Sequence, residues 1–440
     1  MKKSSTKDFV VIGFALFAMF FGAGNMIFPP YIGRAVGDQS IKALLGFLLT
    51  GVGLPLSGII ACAKINGTFA DISGRVGKIF SIIVTSALII AIGPMLAVPR
   101  TAATTFELTI HPLFPSVSPV IVSIVYFIIA LSFILRPSGI VDSIGKILTP
   151  GLLIMLSIII VKGLIDPIGT IETTNFQGAF SKSILEGYQT MDAMTSVMFA
   201  TIIIAAVRAK GYTNKKDIIS LTTKAGVIAA VGLAFVYGGL MVLGSQTSGM
   251  ALGNIGRSEL VIEIVKRDLG HMGTIILGIA VALACLTTAI GIISTGAKYF
   301  SGICKDKISY NKFAILISVI SAALATGGVE KIVGLAEPIL QVLYPIIIVL
   351  ILLTLMGSLV KNDKIVKVTV YVTLAISILD TVNTISGQSI SVIKSIMAAI
   401  PLSDVGFCWI VPSMITFLLT SVFYTYKEKN SQNITEENAM

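Results

Sequence analysis

Three clusters of polar residues interrupt stretches that are otherwise apolar. The first is Gly22-Ala23-Gly24-Asn25, inside the run F-A-M-F-F-G-A-G-N-M-I-F-P-P from Phe17 to Pro30. Each glycine costs about 1 kcal/mol in a helix interior relative to alanine. Asn25 adds a polar amide, so the backbone is expected to unwind there. Unwound N–H and C=O groups need partners that lipid cannot supply, and a bound solute or ion is one source. Glycine and proline also serve as packing and kink residues in membrane helices. The coincidence of two glycines, Asn25 and Pro29-Pro30 in one stretch favours a site. The second cluster is Glu186-Gly187-Tyr188-Gln189-Thr190-Met191-Asp192-Ala193, a run too costly for lipid that must face protein or a cavity. The third is Thr287-Thr288 in Ala284-Cys285-Leu286-Thr287-Thr288-Ala289-Ile290. Paired hydroxyls usually bond back to carbonyls one turn earlier. A hard cation such as sodium also takes neutral oxygens, and carbonyls freed at the first break could complete the set.

The elements that carry these clusters follow from composition. The 440 residues are 55% hydrophobic and 12% charged, with a mean hydropathy of +0.95, whereas soluble domains carry about 25% charged residues. Apolar runs of about 20 residues, the length that crosses a bilayer, recur along the chain. About twelve spans are expected, near 9-33, 40-63, 78-106, 118-136, 143-164, 179-208, 218-245, 271-298, 311-327, 333-358, 365-385 and 404-425. Spans 9-33 and 179-208 are the ones expected to break, and 78-106 is unusual in carrying Gly93-Pro94, Pro99 and Arg100. If spans one to five and six to ten are related halves, each half begins with its interrupted helix. That is the sequence pointer to a midplane site built from half-helices.

Lys and Arg fall about twice as often on one side of the spans as on the other, which places both termini in the cytoplasm. The basic N-terminus is read as leading into an uncleaved first span, and the polar tail from Asn430 as disordered. Of two longer external loops, about 165-178 and 246-270, the second contains Ser258 to Leu269, whose apolar positions 260, 261, 264, 265 and 269 fit a helix lying on the surface, as packing or as a gate.

Several function classes are excluded. The net charge of +10 resides in loops as a topology signal, which argues against a nucleic-acid partner. Four scattered cysteines and two histidines, His111 and His271, give neither a disulfide framework nor a zinc site. No nucleotide-binding motif supports ATP-driven transport. A channel would want a repeated filter sequence, and an enzyme would want a nucleophile-base or metal constellation at membrane depth. Neither is present in the sequence, and no organic cofactor or obligate protein partner is expected.

F-A-M-F-F-G-A-G-N-M-I-F-P-P, I-G-P-M-L-A-V-P-R-T-A at 92-102 and E-G-Y-Q-T-M-D-A at 186-193 resemble, in motif order and span count, the branched-chain amino acid:cation symporter family of the BrnQ type. The resemblance implies an all-α membrane protein with the fold of the bacterial leucine transporter. It would form one transporter domain over 1-425, with a five-plus-five inverted repeat, the first about 9-164 and the second about 179-358. Two peripheral helices would lie within about 365-425, with a cytoplasmic tail at 426-440, in a bacterial plasma membrane. It implies uptake of leucine, isoleucine and valine coupled to sodium or protons, with a proton-coupled or exchanging amino-acid permease of the same fold as the alternative. The implied cation ligands are the carbonyls of Ala18, Phe21 and Ala284 and the hydroxyls of Thr287 and Thr288. Gly22, Ala23, Gly24 and Asn25 would meet the substrate carboxylate, and Tyr188, Gln189, Thr190, Met191 and Asp192 its other groups. Among charged residues in spans, Asp192 is the candidate partner of the substrate ammonium, or a carrier of a coupling proton. Asp380 reads as structural. Arg100 is a candidate gate over the substrate, or a side chain that snorkels to the outer interface.

Overall fold

The structure, a computed structural model, describes residues 6–135, 140–360 and 362–437. Lys2, Lys3, Arg136 and Lys361, which entered the topology reading, lie outside the described residues, as do residues 438–440 of the tail. In chain order the helices are α1 (Thr6–Phe20), α2 (Ala23–Val36), α3 (Ser40–Leu48), α4 (Leu54–Ile65), α5 (Phe69–Gly74), α6 (Lys78–Ile90), α7 (Ala97–Thr105), α8 (Pro119–Leu135) and α9 (Ile140–Ile165). They continue with α10 (Ala179–Tyr188), α11 (Asp192–Ala209), α12 (Lys215–Ser245), α13 (Arg257–Ile303), α14 (Tyr310–Ala325), α15 (Val329–Met356), α16 (Asp363–Ile385), α17 (Ser391–Ala399) and α18 (Ile410–Glu437). Among the described residues the only β contact is an isolated bridge between Gly37 and Thr173.

Seven stretches among the described residues are long and apolar enough to cross a bilayer, and the bent pair α1–α2 makes an eighth. Four shorter apolar helices accompany them: Pro119–Leu135, Pro150–Ile165, Tyr310–Ala325 and Ile410–Tyr424. Two of the spans are made of several pieces. A π-helical turn at Leu49–Gly53 joins α3 to α4, and another at Ala91–Met95, where Pro94 removes a donor, joins α6 to α7.

Two compact units divide the chain, one formed by residues 1–63 and 86–337, the other by 64–85 and 338–440. In the first, α12 packs along α1 and α2, α10 on α3, and α13 on α7 and α9. The α2–α12 contact is backbone to backbone. A methyl at Gly33 would sit 2.1 Å from the Met241 carbonyl oxygen, and one at Gly244 2.0 Å from that of Pro30. The surface helix expected from Ser258 is the first section of α13, and it ends where Gly270 takes φ +70° and ψ −168°. Its Leu260, Val261, Ile264 and Val265 are buried as the apolar spacing requires. Arg257 at its start pairs with Glu186 at 3.4 Å and with Glu330, and stands 4.1 Å from the centre of the Tyr31 ring.

In the second unit α16 packs on α18, and α17 on α16. Thr373 and Ser413 join α16 to α18 by a 2.7 Å hydroxyl contact, and Asp380 bonds Cys408, in keeping with a structural role for that carboxylate. Arg75 pairs with Asp363 and donates to the Val360 carbonyl, while Lys64 donates to that of Leu355. The tail departs from expectation, because α18 runs on through Glu437 instead of giving way to disorder at Asn430. Its polar end lacks helix breakers, so nothing in the residues stops the helix.

Candidate substrate and cation site

The first break lies where the glycines place it. α1 stops at Phe20, Gly22 is extended at φ −134° and ψ −163°, α2 starts at Ala23, and the two helices diverge by 71°. The Gly22 N–H donates to Asn25 Oδ1 at 2.9 Å, so the asparagine satisfies one of the donors exposed at the start of α2. Gly24 is required by a neighbour. A β-carbon there would lie 2.7 Å from Arg100 Nη2 and 3.2 Å from the Phe28 ring.

The second break is a turn over Gln189–Met191 between α10 and α11. Met191 closes it in the left-handed region at φ +62°, a conformation that costs a non-glycine residue about 1–2 kcal/mol and gathers at functional sites. Thr190 Oγ1 donates to the Gly187 carbonyl at 2.9 Å. Arg100, on α7, crosses to this turn and donates from Nη1 to the Gln189 carbonyl at 2.6 Å and from Nη2 to that of Thr190 at 3.5 Å. Its guanidinium also stands 5.1 Å from the centre of the Phe28 ring. With 2% exposure Arg100 does not snorkel to an interface.

Asn25 and Asp192 tie the two breaks together. Asn25 Nδ2 donates to Asp192 Oδ2 at 2.8 Å, and Tyr237 OH on α12 donates to the same oxygen at 2.7 Å. Asn25 Nδ2 and the Tyr237 hydroxyl are themselves in contact. Asn25 is 1% and Asp192 2% exposed, so this carboxylate is buried with its donors around it. A buried charge persists only when paired or hydrogen-bonded in this way.

The hydroxyl pair lies on α13 with its two members differently engaged. Thr287 Oγ1 donates back to the Ala284 carbonyl at 2.9 Å, the usual helical habit. Thr288 Oγ1 is buried without a hydrogen-bond partner and faces the first break, 3.6 Å from where a β-carbon of Gly22 would stand.

Several of these groups line a cavity of about 20 Å³. That is room for one water or ion, so an amino acid enters only if the walls part. Of the residues singled out from sequence, Gly22, Ala23, Gly24, Asn25, Thr190, Asp192, Thr288 and Arg100 line the cavity. Tyr188, Gln189 and Met191 do not, although the Gln189 carbonyl reaches the site through Arg100. Ala18, Phe21, Ala284 and Thr287, the other expected cation ligands, do not line it either, although they lie in or next to elements that do. Sequence reading missed Tyr237, Ala97, Thr101 and Thr195. A single tyrosine in an apolar helix carries no positional signal, and the others look like ordinary small helix residues.

Methylating Gly24 tests this packing. Gly24→Ala drives a β-carbon against Arg100 Nη2 and Phe28, so the guanidinium must shift from its place against the Gln189 and Thr190 carbonyls. The expected result is a loss of stability of about 1–3 kcal/mol, the scale of overpacking in a filled interior, read as a lower melting temperature of the purified chain.

The family model described as Branched-chain amino acid transport protein matches residues 5–427. The chain belongs to that family. It is thus a multi-pass membrane protein of a transport family and not an enzyme. A relative, the branched-chain amino acid permease BraB of Bacillus subtilis (strain 168), is 37% identical over 418 residues, covering 93% of this chain and 94% of the relative. The inward-facing conformation of Mhp1 superposes with a TM-score of 0.61 at 12% identity, covering 96% of this chain and 91% of Mhp1. MhsT in complex with L-phenylalanine gives 0.56 at 15% identity, covering 94% and 98%. These two likenesses show the fold, that of the leucine-transporter class.

Proposed function

We propose that this member of the branched-chain amino acid transport protein family is a secondary active importer that carries leucine, isoleucine and valine together with sodium by alternating access. The observation that carries the reading is the meeting of two broken helices, two oppositely charged residues, Arg100 and Asp192, and a spare hydroxyl around one buried cavity. The family and the permease BraB support the substrate class. Eight long spans with the four shorter apolar helices support a count of twelve. A break in the first and in the sixth span supports the five-plus-five repeat followed by two peripheral helices. The chain sits in a bacterial plasma membrane with both termini cytoplasmic, following the excess of Lys and Arg on that side.

In this reading the start of α2, Gly22 to Asn25, offers N–H groups and the positive end of a helix dipole to the substrate carboxylate. Asp192 pairs the ammonium, and the turn from Tyr188 to Met191 shapes the rest. Sodium lies between α1 and α13, held by the Ala18, Phe21 and Ala284 carbonyls and the Thr287 and Thr288 hydroxyls. Thr288 Oγ1 fits that role, since a buried hydroxyl left without a partner costs about 1–3 kcal/mol and a cation would satisfy it. Arg100 gates the site. A second reading, proton coupling in the same fold, rests on Asp192, which is held by Tyr237 and Asn25 and is a titratable group in the cavity.

Thr288→Ala tests the assignment. Sodium activation of leucine uptake should shift to at least tenfold higher sodium, and leucine affinity at fixed sodium should fall with it, because coupling between two ligands is reciprocal. Isoleucine and valine should compete with leucine while lysine does not, since the cavity offers no second buried acid for a charged side chain. An unchanged sodium curve in Thr288→Ala contradicts the cation site.

A further inference from the structure

Arg100 is placed between the two sets of groups that an amino acid zwitterion needs. Its guanidinium holds the Gln189 and Thr190 carbonyls, at 2.6 and 3.5 Å, where α10 ends. The carbonyl end of a helix carries partial negative charge and favours cations. The same guanidinium abuts Gly24, in the first turn of α2, where partial positive charge favours a carboxylate. Arg100 and Asp192 both line the small cavity and are the two charged residues in its lining. The cavity, at about 20 Å³, admits no amino acid while the guanidinium keeps this position. Asp192 is held on Oδ2 by Asn25 and Tyr237, so the carboxylate is anchored from the side of α2 and α12. The contacts of Arg100 include two backbone oxygens and one ring face, partners a guanidinium can exchange.

We propose that the Arg100 guanidinium leaves the Gln189 and Thr190 carbonyls to take the carboxylate of an incoming amino acid, whose ammonium takes the released carbonyls beside Asp192. Arg100 is then the residue that specifies the α-carboxylate. An amine without a carboxylate could bond the carbonyls only by taking them from a buried guanidinium and bringing it no acceptor in exchange. A carboxylate without an amine would draw Arg100 away and leave the carbonyls without donors. Both are opposed by the cost of unpaired buried groups, and a zwitterion satisfies every partner. Lysine is not equivalent here, because only the planar guanidinium meets a carboxylate through two parallel N–H bonds.

This inference rests on the amino-acid transport proposed above, and the experiment separates the two. The purified full chain in detergent with sodium is titrated with leucine and with leucinamide, which keeps the ammonium and lacks the carboxylate charge. Affinities are read from ligand-induced shifts in melting temperature, which remain measurable for weak ligands. In the parent protein leucine should bind at least ~100-fold more tightly than leucinamide, the scale of a lost bidentate charge-assisted contact. In Arg100→Gln the gap should shrink to less than about tenfold, through weaker leucine binding together with leucinamide binding that is no weaker than in the parent. Arg100→Lys should fall between the two. A parent gap below about tenfold, or a gap in Arg100→Gln equal to the parent's, overturns the role of Arg100 while leaving leucine transport standing. Should Arg100→Gln fail to fold, the parent gap and the Arg100→Lys gap decide, and an Arg100→Lys gap equal to the parent's overturns the proposal. A parent that binds no leucine overturns both readings.

Discussion

Asp192→Ala lowers the leucine uptake rate at least ~100-fold, the largest loss expected from any single side chain of the site. The alanine removes the acceptor that Asn25 Nδ2 and Tyr237 OH share, at 2.8 and 2.7 Å. Each of those donors loses a hydrogen bond to a charged group, worth about 1.5–3 kcal/mol. In the proposed mechanism the substrate ammonium also loses its ionic partner, and removing one member of a buried pair costs about 3–5 kcal/mol. Tyr237→Phe removes one of the two donors and keeps the carboxylate, so its loss should be nearer tenfold, following the value of one hydrogen bond to a charged group. Uptake of labelled leucine into vesicles, corrected for the amount of folded transporter, measures both. Equal losses in the two variants would mean that Asp192 acts only by holding Tyr237.

Gly244→Ala should yield little or no folded transporter. Its β-carbon would stand 2.0 Å from the Pro30 oxygen and 2.6 Å from the Pro30 carbonyl carbon, which are backbone atoms that cannot swing aside. α2 would have to move off α12, and α2 carries the first break and Asn25 with it. Overpacking in a filled interior costs about 1–3 kcal/mol even where side chains can yield, and more is expected against a helix backbone. Gly334→Ala on α15 is the control, because a β-carbon there meets nothing within 4 Å and alanine favours a helix by about 1 kcal/mol over glycine. The fraction of detergent-extracted protein that elutes as a monodisperse species separates the two. A Gly244→Ala protein that elutes and melts like the parent would contradict the close α2–α12 contact.

What could be read from the sequence was what lipid forbids. Gly22, Gly24 and Asn25 signal unwound backbone because a helix tolerates them poorly, and Tyr188 to Asp192 signals a break because polar groups there need a cavity. Both breaks stand where expected. The helix from Ser258 was legible by its apolar spacing, and Gly270 ends it. Tyr237 was not legible, since a tyrosine among apolar residues reads equally as core, and only the fold brings its hydroxyl to Asp192, 45 residues away. Arg100 was visible as an anomaly, yet snorkelling and burial place the same residue in the same span. Its 2% exposure and its bonds to the second break decide between them. Thr287 and Thr288 look alike in the sequence, and the backbone separates them by giving one a carbonyl and turning the other toward Gly22.

Leucine uptake into proteoliposomes of the purified chain, with inward sodium and proton gradients imposed one at a time, tests the central claim. The account predicts accumulation driven by a sodium gradient at constant pH, none driven by a proton gradient without sodium, and a shift to higher sodium in Thr288→Ala. Uptake that ignores sodium, follows the pH gradient and is lost in Asp192→Asn while Thr288→Ala behaves like the parent would contradict it, and would assign the coupling ion to Asp192.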